Sequence, residues 1–334
     1  MILPYAPIPL RADMRPILLV VVDTEETFAW DEPFDRGSTS VAAMDSIGKG
    51  QQIFADFAVR PVYVVDYPIA NQEEGFSQLR QFVGQGQAVV GAHLHPWVSP
   101  PFKEHLNTYN SYPGNLPHKL EEEKLLLLTQ RITASFGVRP QIYKAGRYGV
   151  GPNTTAILAS LGYEVDLSIA PPFNYKRDGG PDFTTANNQP FWFGDGGDLL
   201  EIPCTGAFVG SLHKHGDRLY PFINKPFLQQ MRLPGIISRL GMLERIRLTP
   251  EGYDLEDLIR LTNHLLASGT KIFTFSFHSP SLSPGAIEYV QDEAELQRFL
   301  ATIRGYLDFF MNALGGESLT PLEIKLFLTQ ECCK

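Results

Sequence analysis

The chain has 334 residues, 43% of them hydrophobic and 19% charged, with a formal net charge of −9. This is a globular composition with ample apolar material for a core, and an acidic balance without a basic stripe excludes nucleic-acid binding driven by phosphate neutralisation. The first apolar run, PILLVVV at 16–22, is too short to span a membrane, the residues before it lack the order of a secretory signal, and Cys204, Cys332 and Cys333 make no disulfide framework, so the expectation is a soluble, cytoplasmic protein.

PILLVVVD (16–23) predicts a strand buried on both faces. A helix is expected near 43–58, a second strand at RPVYVVD (60–66), a short helix at 74–86 that ends in glycines, and a third strand at AVVGAHLH (88–95). A polar loop then runs from 96 to 117. Helix is expected again over 118–136, where acids near the start suit the helix dipole. RPQIYKAG (139–146) reads as a fourth strand, the stretch from Pro152 as a helix and EVDLSI (164–169) as a fifth strand.

Residues 170–205 break this rhythm. They are rich in Gly, Pro and Asn, with short antiparallel strands expected at FWFG and LLEIPC. Helices are predicted at 226–246 and 253–268, a last core strand at KIFTFSFH (271–278) and an amphipathic helix over 291–314. The whole chain reads as one α/β domain, with an insertion at about 170–250 and C-terminal helices at about 291–330. Strand–helix alternation implies a parallel sheet, either open or closed into a barrel. No glycine-rich phosphate loop follows the first strand, which ends instead in the acids of DTEE, so a nucleotide-binding α/β protein is disfavoured.

Titratable residues gather at strand ends: Asp23 and Glu25, His93 and His95, Lys144 and Arg147, Asp166, and His278. In a parallel barrel these ends meet on one face. Side chains two apart on extended backbone point the same way, so Asp23 pairs with Glu25 and His93 with His95. Two imidazoles and one carboxylate are a common ligand set for a catalytic divalent metal, and a second carboxylate can then take a proton. A lone strand-end Asp is more often a turn former and a lone His a packing group; the convergence of five strand ends is what favours a site. Trp97, Tyr112, Tyr148, Trp192 and Phe193 are candidate substrate-contacting aromatics, with plain cover over the barrel rim as the alternative. A second HxH, His213 and His215, reads as polar loop, and His105, His118 and His264, in loops or helices, are assigned no chemistry.

VVDTEE, GAHLHPW, YKAGRYG, YEVDLS and FSFHSP, in this order, resemble the motifs of the polysaccharide deacetylases, the carbohydrate esterase family 4 or NodB-homology superfamily. HLHPW, NSYPGNLP, AGRYGVGPNT, GPDF and FHSPSLSPG are most similar to its WalW-type branch. The resemblance covers roughly 17–310. It implies a distorted (β/α) barrel of about seven parallel strands, with loop and hairpin insertions on the C-terminal face. It also implies a divalent metal, usually zinc, and hydrolysis of an acyl amide, above all an N-acetyl group on a carbohydrate.

By the same match Asp23 would be the general base, Glu25, His93 and His95 the metal ligands, and His278 the acid that protonates the leaving amine. Asp166 would orient His278, and a basic residue, Lys144 or Arg147, would pair with the base. The chain departs from the pattern in three respects. Its histidines are two apart rather than four, its metal acid is Glu, with Glu26 a competing ligand, and its base partner is left open between Lys144 and Arg147. Rival readings are a hydrolase of another non-peptide C–N bond, such as an allantoinase-like small amide, and a metal-binding barrel without turnover. A carbohydrate or small-amide substrate is expected, with no nucleic-acid or membrane partner; the sequence is compatible with a homo-oligomer.

Overall fold

The apolar run near the start of the chain is a strand buried along its whole length, β1 (Ile17–Thr24). The computed structural model of the protein describes residues 6–28 and 32–332, so Cys333 lies outside the described residues. After β1 come α1 (Ile47–Asp56), β2 (Val62–Val65), α2 (Tyr67–Asn71), α3 (Glu73–Gly84), β3 (Val89–Leu94), α4 (His118–Phe136), β4 (Ile142–Ala145), α5 (Thr154–Ser160) and β5 (Val165–Asp166). The less regular part holds β6 (Phe191–Phe193), β7 (Leu199–Glu201), β8 (Gly206–Val209), α6 (Gly216–Ile223), α7 (Pro226–Gln230), α8 (Leu233–Arg239) and β9 (Glu244–Arg247). The chain then returns through α9 (Leu255–Ala267), β10 (Ile272–His278), α10 (Glu293–Asp308), β11 (Glu317–Ser318) and α11 (Pro321–Cys332). None of the described helices is long and apolar enough to cross a membrane.

The sheet runs β10-β1-β2-β3-β4-β5-β7, with all seven strands parallel; β6 adds antiparallel to β7 and β11 pairs with the start of β1. Its residues alternate strictly between two apolar layers. Ile17, Leu19, Val21, Val62, Val64, Ile142, Val165, Leu200 and Ile272 make an inner cluster. Leu18, Val20, Val22, Tyr63, Tyr143 and Phe275 face the other way, onto Phe54 of α1, Leu79 of α3, Leu128 of α4 and Ile303 of α10. Burial on both faces is what makes these strands continuous apolar runs rather than alternating ones.

The sheet curls into a distorted barrel whose seam, between β7 and β10, carries no regular ladder among the described residues. It is bridged by single bonds. The Leu248 N–H donates to the Thr205 carbonyl (2.8 Å) and the Ser276 N–H to the Leu248 carbonyl (3.1 Å). The Thr274 N–H donates to Thr205 Oγ1 and the Thr274 hydroxyl to the Pro203 carbonyl, both at 2.8 Å. The antiparallel pair β8–β9 springs from this seam.

The helix predicted over 226–246 is corrected. The chain forms two short helices there and then β9. Gly241 at φ 65° turns the backbone after α8, and LERIR, though built of good helix formers, pairs with β8 instead. Tertiary pairing overrides local propensity at such a segment.

Candidate active site

Strand alternation that puts Ile17, Leu19 and Val21 inside carries on to Asp23 and, just past the strand, Glu25. In register, Asp23 lies beside His278 and His93 beside Lys144, so all four side chains share the concave face. Glu25 Oε2 is 3.4 Å from His93 Nε2 and 3.4 Å from His95 Nε2, and all three residues are buried. The other ring nitrogens are engaged: His93 Nδ1 with the Lys144 carbonyl and His95 Nδ1 with Glu26 Oε2, each at 2.9 Å. Those acceptors fix both rings with the proton on Nδ1, leaving the Nε2 lone pairs facing Glu25. β4 must pass close for this: a Cβ on Gly146 would stand 2.5 Å from His95 Cδ2 and 2.4 Å from the Leu94 carbonyl oxygen.

This donor set fits a divalent cation. Ligands about 2.0–2.1 Å from a tetrahedral ion lie about 3.3–3.4 Å apart, the spacing between Glu25 and each imidazole. Burial depresses the His95 pKa, which keeps the ring in the neutral form a metal binds. Burial works against the Glu25 carboxylate, but His278, His93 and His95 outweigh it and hold its pKa below the ordinary range.

Glu26 is not an alternative ligand beside Glu25. It points to the opposite side of His95, where it accepts from His95 Nδ1 and, at 2.8 Å, from Trp97 Nε1. Burial, reinforced by the Glu25 charge, pushes the Glu26 carboxyl up to about 8, and burial with the nearby Glu26 raises Asp66 well above the carboxylate range. Glu26, Asp66 and His95 could themselves group around an ion; with both carboxyls favouring a proton, they support the His95 ring instead.

Next to the donor set, Lys144 Nζ donates to both Asp23 oxygens, at 2.7 and 2.6 Å. Burial disfavours the Asp23 carboxylate, yet Lys144, His93 and His278 together hold its pKa below the ordinary value. Burial likewise disfavours the Lys144 ammonium, but Asp23 outweighs it and raises the pKa. The pairing left open between Lys144 and Arg147 therefore goes to Lys144. Arg147 stands off Asp23: it stacks over the Tyr112 ring (4.2 Å) and meets Asp178 at 3.5 Å. Arg147 and Tyr148 are consecutive non-glycine residues at positive φ, 55° and 58°, strain of the kind that collects where side chains must be aimed into a cavity.

His278 Nε2 lies 3.8 Å from Asp23 Oδ2. Its orienting carboxylate is Glu251, not Asp166. Glu251 Oε2 accepts from His278 Nδ1 (2.8 Å), and Oε1 from the His278 backbone N–H (2.9 Å) and the Ser281 hydroxyl (2.5 Å). Burial opposes the His278 imidazolium, but Glu251, Glu25 and Asp23 prevail and lift its pKa to about 10. Asp166 is in register with Tyr143, an outer-layer residue, so it faces away from the site; it bonds with Ser168 and lies beside Glu201.

These groups line a cavity of about 330 Å³, walled by Tyr112, Tyr148, Phe173, Tyr175, Arg247 and Tyr289 among others. Tyr112 and Tyr148 thus line the cavity. Trp97 does not: it is fully buried, stacked 4.2 Å from the His95 ring. Trp192 packs with the inner cluster and Phe193 with the outer one, so neither is a platform. His213 packs on His264 and joins no metal-like group among the described residues. Sequence reasoning missed Glu251, Arg247 and Tyr175, all supplied by the irregular region. No signal in the sequence marked Glu251, which the closing of the seam alone carries to His278.

No family model and no curated protein matches the sequence. Solved structures do match in fold. A protein described as a polysaccharide deacetylase from Mycobacterium smegmatis superposes with a TM-score of 0.55 at 15% identity, over 98% of this chain and 95% of that one. Puue Allantoinase gives 0.54 at 14%, over 97% and 96%. A protein described as a glycoside hydrolase/deacetylase from Parabacteroides distasonis gives 0.57 at 12%, over 95% and 72%. At such identities the likeness is one of fold.

Proposed function

We propose that the protein is a metal-dependent hydrolase that removes an acyl group, in the first place N-acetyl, from a carbohydrate or related amide. The observation that carries this is the convergence of Glu25, His93 and His95 at 3.4 Å spacings beside the Asp23–Lys144 pair. The fold shared with proteins described as deacetylases supports it, as do the motifs in their order; the finer likeness to the WalW-type branch rests on those motifs alone.

Glu25, His93 and His95 would hold the ion, and a mixed imidazole and carboxylate set suits zinc. When bound, the ion supplies Lewis acidity, polarising the acyl carbonyl and making a water acidic enough to ionise near neutral pH. Asp23, kept ionised by Lys144, takes the water's proton. Lys144 also fixes both carboxylate oxygens, so the base is held in one orientation. His278, held as an imidazolium by Glu251, gives a proton to the departing amine.

The test is elemental analysis of the purified protein, together with acetate release from N-acetylated sugars by wild type and by Asp23→Asn. Bound zinc in both, with turnover lost only in the variant, is expected; undiminished turnover in Asp23→Asn removes Asp23 from the mechanism. The fold shared with Puue Allantoinase favours a second reading, hydrolysis of a small ring amide. Ring opening of cyclic amides without acetate release from sugars would establish that reading over the first.

A further inference from the structure

Arg247 ends β9 at the barrel seam and lines the cavity, as well as a second one of about 300 Å³ that adjoins it. Its guanidinium lies 4.0 Å from the Phe173 ring centre and 4.8 Å from that of Tyr148. No carboxylate oxygen of the described residues comes within salt-bridge distance of it. Every other cation close to the reacting groups has one: Lys144 has Asp23, Arg147 has Asp178 and His278 has Glu251. Aromatic faces compensate part of the desolvation of a partly buried cation, but they supply no opposite charge.

The hydrogen bonds around Arg247 point the same way. Nη1 donates to the Tyr148 hydroxyl (2.9 Å) and Nη2 to the Tyr175 hydroxyl (2.7 Å), while Nε is buried without an acceptor. Because each tyrosine oxygen accepts from the guanidinium, each keeps its own O–H as a donor, and neither has an acceptor among the described residues. The two rings stack 5.5 Å apart, so their hydroxyls project together. One corner of the cavity thus presents a guanidinium and two O–H donors, none of them bonded to a carboxylate of the described residues. The Tyr148 ring is shared with Lys144, whose Nζ is 5.2 Å from its centre, so a single ring separates this corner from the Asp23–Lys144 pair.

We propose that Arg247, Tyr148 and Tyr175 form a seat for a carboxylate of the substrate, so that the enzyme acts on an acidic N-acyl compound rather than a neutral one. This rests on the hydrolase reading for the word substrate, but the seat itself is a binding site and can be tested without turnover. Paired hydrogen bonding by a planar guanidinium is the usual geometry of carboxylate recognition, and flanking neutral hydroxyls add donors without competing charge.

Calorimetric titration of the zinc-loaded protein with N-acetylglucosaminuronate and with N-acetylglucosamine, which differ only in the carboxylate at C6, is the test. The acidic sugar is expected to bind at least tenfold more tightly. Arg247→Gln should abolish that preference, Arg247→Lys should keep part of it, and Tyr175→Phe, which preserves shape, should weaken the acidic ligand alone by about threefold. Equal affinity for the two sugars, failure of the acidic one to bind, or a preference that survives in a folded Arg247→Gln would each overturn the proposal. Acetate release with no preference for the acidic sugar refutes the seat alone. Binding that depends on Arg247 with no release of acetate refutes the hydrolase reading and leaves the seat standing.

Discussion

Removing one member of the Asp23–Lys144 pair leaves the other charge stranded. Lys144 is fully buried and Asp23 only 3% exposed, and the ammonium bonds both carboxylate oxygens at 2.7 and 2.6 Å. Breaking such a pair costs about 3–5 kcal/mol, because the surviving ion keeps its desolvation penalty and loses its partner. Lys144→Met and Asp23→Asn should each destabilise by about that much. The double variant, with no charge left at either position, should be no less stable than either single one, which implies a coupling of about 3 kcal/mol or more. Urea unfolding of all four proteins at pH 7 measures it, with chelator present so that metal binding adds nothing to the apparent stability. Additivity within about 0.5 kcal/mol would refute the reasoning, since it would mean that the two groups do not rely on each other for charge compensation.

Three further outcomes follow from the placement of other carboxylates. Burial pushes Glu121 up from 4.5 to about 7, and its Oε2 has no partner. The fold therefore holds that proton more tightly than the unfolded chain does, and this group's contribution to stability falls as pH rises from about 4.5 through 7, by about 3 kcal/mol in all. Glu121→Gln should accordingly exceed wild type in urea-unfolding stability by about 3 kcal/mol at pH 8 and match it near pH 4.5; the same difference at both pH values would contradict this. Glu251→Gln should lower turnover by about 100-fold and pull the alkaline limb of the pH–rate profile downward, because His278 loses the anion that keeps it protonated. Asp166→Asn, on the far face of the sheet, should change turnover by no more than about threefold and leave that limb in place; steady-state rates across pH separate the two.

The regular part of the barrel was readable because burial on both faces leaves an unmistakable apolar run, and because a charge that ends such a run stands out. β1 with Asp23 and Glu25, and β3 with His93 and His95, are of that kind. Asp166 shows the limit of the method. It too is an acid at a strand end, but Val165 and Leu167 are the residues of its segment that join the inner cluster, so the alternation turns Asp166 outward. Parity along EVDLSI held that information, and proximity to the strand end obscured it. Glu251 was illegible for a different reason. It sits in a turn, its backbone N–H bonded to Thr249 Oγ1, and only the closing of the seam carries it to His278. The choice between platform and cover stayed open for Trp97 because an aromatic next to a candidate ligand looks the same in sequence whether it faces a sugar or props up a ring from behind.

The seam also divides the cavity mechanically. Glu25, His93 and His95 hang from strands bonded to neighbours on both sides, and they form a fixed jaw. Arg247 precedes and Glu251 follows Leu248, whose amide and carbonyl are the backbone stitches across the gap. Segments held by few backbone bonds open more readily than laddered ones. Any opening of the seam would shift the Arg247 corner against Glu25, His93 and His95, which hang from laddered strands.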